Sequence, residues 1–444
     1  MKNKINKKIL SKKISFESKD FKWFSYYIFC HPVAIIKALF ILIFYGPNEF
    51  LVRLDKIKEL NSFANIKKSN ILTQIFAIIF IILFFLISIL FFSLYKAFYL
   101  LLYVIRKKMK IAKNKKRLNG ISFIIPTWNK KDMVLECVKH LDKIASSEAK
   151  DIPKEIIVID NGSVDNTTEA LNNLKTTTSL KVIYSKTNLG FARGINLGAS
   201  KAKYNYIYLM NNDMIPKPKL ISEIVSFAKK LLKENKPFFG LSSQIFFYDL
   251  KKRREESGKN YYRPDFGYLY VAHCVNENNL QSSSITGYPG GGSSLINKDI
   301  FLQLGGYDKD VYLPLYDEDL DLGFVAWKFG FPSYFVPTSQ IIHHHQSSTK
   351  KLSMDPNYYM FKNWLTFILK NYDSCSLILG HLLLYPLRMV SDKRFGDYAW
   401  QNLKIFHKIL YKKIILSRFK IVYKDSELIN FLKFEFNFES MNEK

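Results

Sequence analysis

The chain has 444 residues, roughly two or three domain lengths, and its 48% apolar and 16% aromatic content excludes a disordered protein. Lys and Arg number 66 against 38 Asp and Glu, a formal net charge of +28 that points to an anionic partner, either nucleic acid or a membrane surface. Four scattered cysteines (Cys30, Cys137, Cys274, Cys375) form no CxxC pair, which excludes a disulfide-stapled scaffold and a cysteine zinc site and suits a reducing compartment.

The charge is concentrated at the start: through Arg117 there are 23 Lys/Arg and 5 Asp/Glu. Inside that region residues 71–95, ILTQIFAIIFIILFFLISILFFSLY, carry no charge, and after Lys96 the apolar character resumes to Ile105. A bilayer core takes about 20 apolar residues as a helix. This run exceeds that without Gly or Pro and has no polar face, so 71–105 is expected to be a transmembrane helix rather than a buried soluble one. It is too long and too internal for a cleaved signal. Residues 23–45 are also apolar but hold His31, Pro32 and Lys37, and either span the bilayer or lie in its interface. Residues 2–22 hold 8 Lys/Arg, 46–70 hold 5 and 106–117 hold 8. Basic residues stay inside, which favours both outer blocks on the cytoplasmic side and therefore two crossings or a hairpin. The basic runs then read as anchors on membrane lipids. No nucleic-acid motif accompanies them, and nucleic acid is not expected as a partner.

From Gly120 the composition becomes that of a soluble α/β domain. ISFII (121–125), ending at Pro126, reads as a buried parallel strand, followed by a helix over about 131–144. EIIVI (155–159), a helix near 165–174, KVIY (181–184), a helix near 192–202 and YIYLM (206–210) continue the alternation, which predicts βαβ units and a mostly parallel sheet. Ligands bind such sheets at the carboxyl ends of the strands. Polar residues stand there: Thr127-Trp128-Asn129, then Asp160-Asn161-Gly162-Ser163, then Asn211-Asn212-Asp213. Ordinary caps and turns account well for Asn161 to Ser163, and less well for Asp160 and Asp213.

The second half is more irregular. Tyr288 to Gly292 is a flexible turn leading into a strand at 293–297 and a short helix. Residues 316–331, YDEDLDLGFVAWKFGF, read as a helix opened by Asp317, Glu318, Asp319 and Asp321; residues 337–345, PTSQIIHHH, read as a strand ending in histidines. Segments 358–369 and 375–390 suggest amphipathic helices against a membrane, with a core helix equally plausible for 358–369. The stretch from Ser391 carries no functional signal. The chain thus divides into a basic membrane-anchoring region (1–117), an α/β domain expected to carry the function (118–350) and a C-terminal amphipathic helical extension (351–444).

Three groups carry chemistry. Asp213, a carboxylate at a strand end, suits a divalent cation (Mg2+ or Mn2+) that would neutralise a diphosphate. The four acids at 317–321 either favour a helix dipole or hold a general base. At the strand end His343 and His345 share one face and His344 the other, so an imidazole and Asp213 could complete a metal site with diphosphate oxygens and water.

With FIIPTWN (123–129), VIDNGSVDNT (158–167), NLGFARGINLG (188–198), YLMNNDM (208–214), GGGSSLI (290–296), LGGYD (304–308), YDEDLDLGFVAWKFG (316–330) and VPTSQIIHHHQSS (336–348) in this order, residues 120–350 resemble a family 2 glycosyltransferase of the GT-A fold, most similar to its rhamnosyltransferase-like members. The resemblance implies that Pro126, Thr127 and Asn129 line a nucleotide pocket and that Asp160 contacts the base or ribose. Asn188, Gly190, Arg193 and Asn196 would shape the donor side. Asn211, Asn212 and Asp213 match the metal motif, with Asp213 and His343 as ligands and Gly291 and Gly292 beside the substrate. Glu318 and Asp319 match the acidic pair, with Asp319 as base. Two positions depart from the pattern: Asn211 stands where many GT-A enzymes carry a second acid, and Val325 where the subgroup usually has Arg. The implied reaction is a single displacement with inversion, from a nucleotide-sugar donor to a lipid-linked or polysaccharide acceptor, behind a loop closing at Gly290–Gly292. A non-catalytic membrane scaffold retaining the fold is the alternative. A nucleotidyltransferase would need a Gly-rich basic loop after the first strand, where Thr127-Trp128-Asn129-Lys130 stands.

Overall fold

The computed structural model describes residue 111 and residues 117–437, apart from 249–256, 266–267, 275–279, 315, 345–354 and scattered positions between 375 and 393. These residues belong to the second of two compact units, Met1–Phe84 and Phe85–Lys444. The expected membrane segments 23–45 and 71–105 lie outside the described residues. Among those described, no helix is long and apolar enough to cross a membrane.

The alternation expected from 121 to 210 is what forms: β1 (Ile121–Thr127), α1 (Lys131–Ser147), β2 (Lys154–Asp160), α2 (Thr167–Asn172), β3 (Ser179–Tyr184), α3 (Phe191–Lys201) and β4 (Tyr206–Met210). β1 shows why a continuous apolar run was needed. Phe123 and Ile125 enter the cluster shared with Val134, Val138 and Leu141 of α1, and Ile124 enters the opposite cluster with Ile195 and Ala199 of α3. Strand side chains alternate, so a sheet covered on both faces has no polar side to offer. Gly198 lets α3 lie close, since a Cβ there would stand 2.5 Å from the Ile124 side chain.

Beyond β4 come β5 (Met214–Pro216), α4 (Leu220–Lys233), β6 (Gly240–Phe247), the separate hairpin of β7 (Asn260–Asp265) and β8 (Tyr268–His273), and β9 (Ser284–Thr286), none of which the sequence reading assigned. β10 (Ser293–Asn297), α5 (Lys298–Gln303), α6 (Glu318–Lys328) and β11 (Ser333–His343) follow. β11 starts four residues before the expected Pro337. The proline falls where the β11–β6 register shifts, between Val336 and Gln340, a place where a missing N–H breaks no ladder bond. The main sheet runs β3-β2-β1-β4-β10-β6-β11-β5, with β9 on β11. β1 to β4, β6 and β11 run one way, and β10 lies antiparallel between β4 and β6.

α7 (Pro356–Asn371), α8 (Arg394–Lys404), α9 (Phe406–Leu416) and α10 (Asp425–Asn437) complete the described chain. The membrane-facing expectation for 358–369 is corrected in favour of its core alternative. Trp364, Leu365, Phe367 and Ile368 are buried with Leu320, Phe324 and Trp327 of α6. Their apolar area leaves water by packing on the helix that carries the acids, not by meeting lipid. Segment 375–390 lies partly outside the described residues.

Candidate functional site

Two strand pairings assemble the site. β5 turns the chain back after Asn211-Asn212-Asp213 and pairs with the end of β11, His343 opposite Met214. That register sets the His343 Nε2 3.3 Å from Asp213 Oδ2, with side chains 12% and 10% exposed. The His344 N–H donates to the Asp213 carbonyl at 2.9 Å, while the His344 ring lies against Tyr248, centroids 4.0 Å apart. His345 lies outside the described residues. A cavity of about 210 Å3, lined by Asp132, Glu136, Cys137, Asn212, Asp213 and His344 among others, opens beside the pair. One carboxylate oxygen and one imidazole nitrogen at a strand end fit a divalent cation. Among the described residues no three His, Cys, Asp or Glu side chains cluster to hold a metal by themselves, so diphosphate oxygens and water would supply the other ligands.

The second pairing is β10 on β4, Ser293 opposite Met210, which lays the Gly290–Gly292 turn at the end of β4. The Gly292 carbonyl accepts from the Asn211 N–H at 3.1 Å, and a Cβ on Gly292 would sit 2.7 Å from the Asn211 amide nitrogen. On its other side the Gly291 N–H donates to Asp319 Oδ2 at 2.8 Å. A Cβ on Gly291 would crowd the Phe191 ring at 3.0 Å and the Tyr307 hydroxyl at 3.3 Å. One glycine turn therefore joins the Asp213 motif to the Asp319 carboxylate. It is held at both sides by these bonds.

α6 opens with Glu318 and Asp319 after two non-glycine residues in the left-handed region, Tyr316 (φ 73°) and Asp317 (φ 71°). Such backbone persists only where surroundings enforce it. Here α7 does so: Asn363 Nδ2 donates to the Tyr316 carbonyl at 3.0 Å and Lys362 Nζ to the Leu313 carbonyl at 2.9 Å. Asp321, half a turn on, serves the interior instead. It accepts from the Tyr312 hydroxyl at 2.9 Å and Asn371 Nδ2 at 2.7 Å and pairs with Lys370 at 2.5 Å.

Burial pushes all three site acids up, and repulsion from neighbouring acids adds to it at Asp317 and Glu318. Asp317 is raised well above an ordinary carboxyl by burial and then by Asp319 and Glu318. Glu318 is pushed up to about 8 by burial and then by Asp319. Asp319 is raised by burial, opposed by the N–H bonds from Gly291 and Leu320 and by the nearby His273. Glu318 thus keeps its proton at neutral pH while Asp319, with two backbone donors, is the member that ionises. Among the described residues Glu318 Oε2, Tyr307 Oη and His273 Nδ1 are buried without a hydrogen-bond partner, as expected of a site that completes its bonding with substrate. His273 carried no sequence signal. It arrives through the hairpin: it pairs with Asn260, whose side chain grips the Tyr288 N–H and carbonyl, each at 2.9 Å.

Glu318 gives a stability prediction. Unfolded it ionises near 4.5 and folded near 8, so its unfavourable contribution is absent at low pH and grows as pH rises between those values. Glu318→Gln should melt close to wild type at pH 5 and be more stable by about 2–4 kcal/mol at pH 8.5, read by thermal unfolding at both pH values.

The nucleotide-side expectations divide. Pro126 and Thr127 are buried at the end of β1, and Thr127 Oγ1 accepts from Asn212 Nδ2 at 2.8 Å. Asn129 is half-buried; its N–H donates to Ser163 Oγ at 2.9 Å and its Oδ1 accepts from the Val164 N–H at 2.8 Å. Asp160 is corrected: it has no exposed surface with which to meet a base or ribose. Its Oδ1 accepts from the Ser163 N–H at 2.9 Å and its Oδ2 from the Thr168 hydroxyl, so it shapes the loop into α2 from beneath. Asn196 is half-buried at the side of α3. It holds the Tyr307 backbone at both N–H and carbonyl, 2.9 and 2.8 Å, and so fixes the 304–308 loop from the side. Asn188 and Arg193 stay exposed, and Asn188 Oδ1 accepts from the Gly190 N–H at 2.8 Å at the start of α3. Val325 is buried in the apolar cluster of Ile195 and Leu322.

A family model described as "Glycosyl transferase family 2" matches residues 122–278, ending before α6 and β11. Poly-beta-1,6-N-acetyl-D-glucosamine synthase of Staphylococcus aureus (strain MSSA476) is 31% identical over 113 residues, 26% of this chain and 26% of that protein. The enzyme of the same name from Staphylococcus epidermidis is 27% identical over 109 residues, 24% of this chain and 25% of that protein. The chain thus matches about a quarter of the length of these curated relatives. Among solved structures, GalNAc-T7 with UDP, GalNAc and Mn2+ aligns at TM-score 0.46 and 15% identity over 67% of this chain and 58% of that one.

Proposed function

Residues 122–278 are a glycosyltransferase family 2 domain, and from that premise we propose that the chain is a membrane-bound inverting glycosyltransferase. It moves a sugar from a nucleoside diphosphate donor to a lipid-linked or cell-surface glycan, with its catalytic domain on the cytoplasmic side. The observation that carries the reading is the glycine turn, which holds the Asp319 carboxylate on one side and the Asp213 motif on the other.

The donor diphosphate binds at the strand ends beside Asp213 and His343, and its sugar lies over Gly291 and Gly292, which pack too closely on Phe191 and Asn211 to carry a side chain. Asp319, its oxygens oriented by the Gly291 and Leu320 N–H groups, takes the proton from the acceptor hydroxyl as that oxygen attacks the anomeric carbon. The bond to the diphosphate breaks on the opposite face and configuration inverts. A divalent cation held by Asp213 and His343 would supply charge for the departing diphosphate. The named relatives support an N-acetylglucosamine donor, and the motif resemblance supports a rhamnosyl one.

Membranes bearing the full chain, offered radiolabelled nucleotide sugars including UDP-N-acetylglucosamine and dTDP-rhamnose, should pass label from one donor into lipid or polymer. Binding of the matching nucleoside diphosphate with Mn2+, followed by titration calorimetry, should weaken at least about 10–100-fold in Asp213→Asn. A chain that binds no nucleotide and transfers no label is the scaffold, and the enzymatic reading fails.

A further inference from the structure

α8 and α9 follow one another across a single residue, Ile405. Their inner sides are fixed, with Phe395, Tyr398, Asn402, Ile409 and Lys413 all buried. Asn402 Nδ2 donates to the Lys362 carbonyl at 3.1 Å, and its Oδ1 accepts from the Thr366 hydroxyl at 2.6 Å, both on α7. Lys413 Nζ donates to the Tyr372 carbonyl at 2.5 Å. These bonds keep the helices from rolling, so the residues on the outer side stay outward.

That outer side presents Trp400, Leu403 and Lys404 on α8 and His407, Lys408 and Tyr411 on α9, all exposed. Trp400, Leu403 and Tyr411 are 56%, 62% and 61% exposed, a large apolar area to leave in water. The Lys404 ammonium stands 5.5 Å from the Trp400 ring centroid, and among the described residues no ion pair engages Lys404 or Lys408. From Trp400 to Tyr411 the row contains no acid; Asp397, exposed one turn before Trp400, accepts from the Tyr358 hydroxyl and from Gln401.

We propose that this outer side of α8 and α9 rests on the anionic headgroup layer of a membrane, with Trp400, Leu403 and Tyr411 in the interface and Lys404 and Lys408 against phosphates. Charge selects the occupant. A second copy would bring like charges together, and the whole chain carries +28. Tryptophan, tyrosine and lysine are the side chains that favour the boundary between headgroup and acyl chain. Aromatic side chains standing out from a helix need no shaped pocket when the partner is fluid. The inference deepens the membrane setting proposed above and rests on it, because it names the surface of the C-terminal helices that meets lipid.

The test uses the full chain in vesicles containing phosphatidylglycerol with brominated acyl chains. The difference in fluorescence between wild type and Trp400→Phe isolates the Trp400 emission. Brominated lipid should quench most of it, and Lys404→Glu with Lys408→Glu, both at exposed positions, should relieve the quenching. Emission untouched by brominated lipid overturns the proposal, as does quenching that charge reversal leaves unchanged or that needs a soluble acidic protein. Flotation of the chain with vesicles after an alkaline wash is measured alongside. A chain that floats without Trp400 quenching removes only this surface, whereas a chain that does not float removes the membrane setting itself.

Discussion

Asp319→Asn should lower the rate of sugar transfer by about 10²–10⁴-fold while the nucleoside diphosphate still binds at the Asp213 end. The expectation follows from how the carboxylate is held. Both Asp319 oxygens accept a backbone N–H, from Gly291 and from Leu320, each at 2.8 Å. The group is thus aimed and cannot rotate away from an incoming hydroxyl. An amide keeps the shape and loses the proton affinity, and its NH2 now faces a donor, so a modest loss of stability accompanies the loss of rate. Two measurements separate these effects. Calorimetric binding of nucleoside diphosphate with Mn2+ should be unchanged, and the acceptor-dependent rate should collapse. The pH profile of the wild type adds a second readout. Burial raises Asp319 above an ordinary carboxyl, so activity should fall as pH drops through that raised value, higher than a solvated Asp would allow. Transfer at the wild-type rate by Asp319→Asn would remove the base assignment and, with it, the catalytic meaning of the glycine turn.

The sequence disclosed the elements that obey a single period and concealed those whose role depends on a distant partner. β1, β2 and β4 are built on short apolar runs (FII, IIVI and YIYLM), the pattern that a strand buried on both faces favours. Asp213 and His343 are legible together because one follows an apolar strand and the other ends one, although their meeting needs the three-residue β5, which has no periodicity to detect. Asp160 and Asp213 look alike in the sequence, each an acid after an apolar strand. The difference lies in Ser163 and Thr168, which draw Asp160 inward. Likewise nothing local separates Asp319 from Asp321, two residues apart on one helix, until Lys370 is brought beside the second. α7 was ambiguous for the same reason. Its Lys362, Asn363, Lys370 and Asn371 would ordinarily mark a solvated face, yet they are buried because they bind the 308–317 loop and the start of α6.

Lys370→Met should destabilise the fold by about 3–5 kcal/mol. The Lys370 ammonium is buried between two carboxylates, 2.9 Å from Asp308 and 2.5 Å from Asp321, and those carboxylates are as deeply buried as the lysine. Burial alone would drive the lysine toward neutrality, but the two acids outweigh it and hold the ammonium above its ordinary range. The same pairing holds Asp308 below its own. Methionine fills the volume but removes the cation that stands between the two acids. Desolvated charges without a partner cost more than the pair returned when intact. Lys412, 3.4 Å from Asp308, relieves part of the excess at one end, whereas Asp321 keeps only the neutral Tyr312 and Asn371. Adding Asp321→Asn to Lys370→Met should therefore recover more stability than adding Asp308→Asn, a ranking that simple loss of packing does not produce. Thermal unfolding of the purified full chain in detergent, compared across the single and double variants, reads the order directly. Asp321 lies half a turn from Asp319, so the clamp also fixes the depth of the base, and Lys370→Met protein that remains folded at low temperature should transfer sugar more slowly with nucleotide affinity unchanged. If the single variant melts with the wild type, or the two double variants recover equally, then α6 is held by its apolar face alone and the buried ion cluster contributes nothing to placing the base.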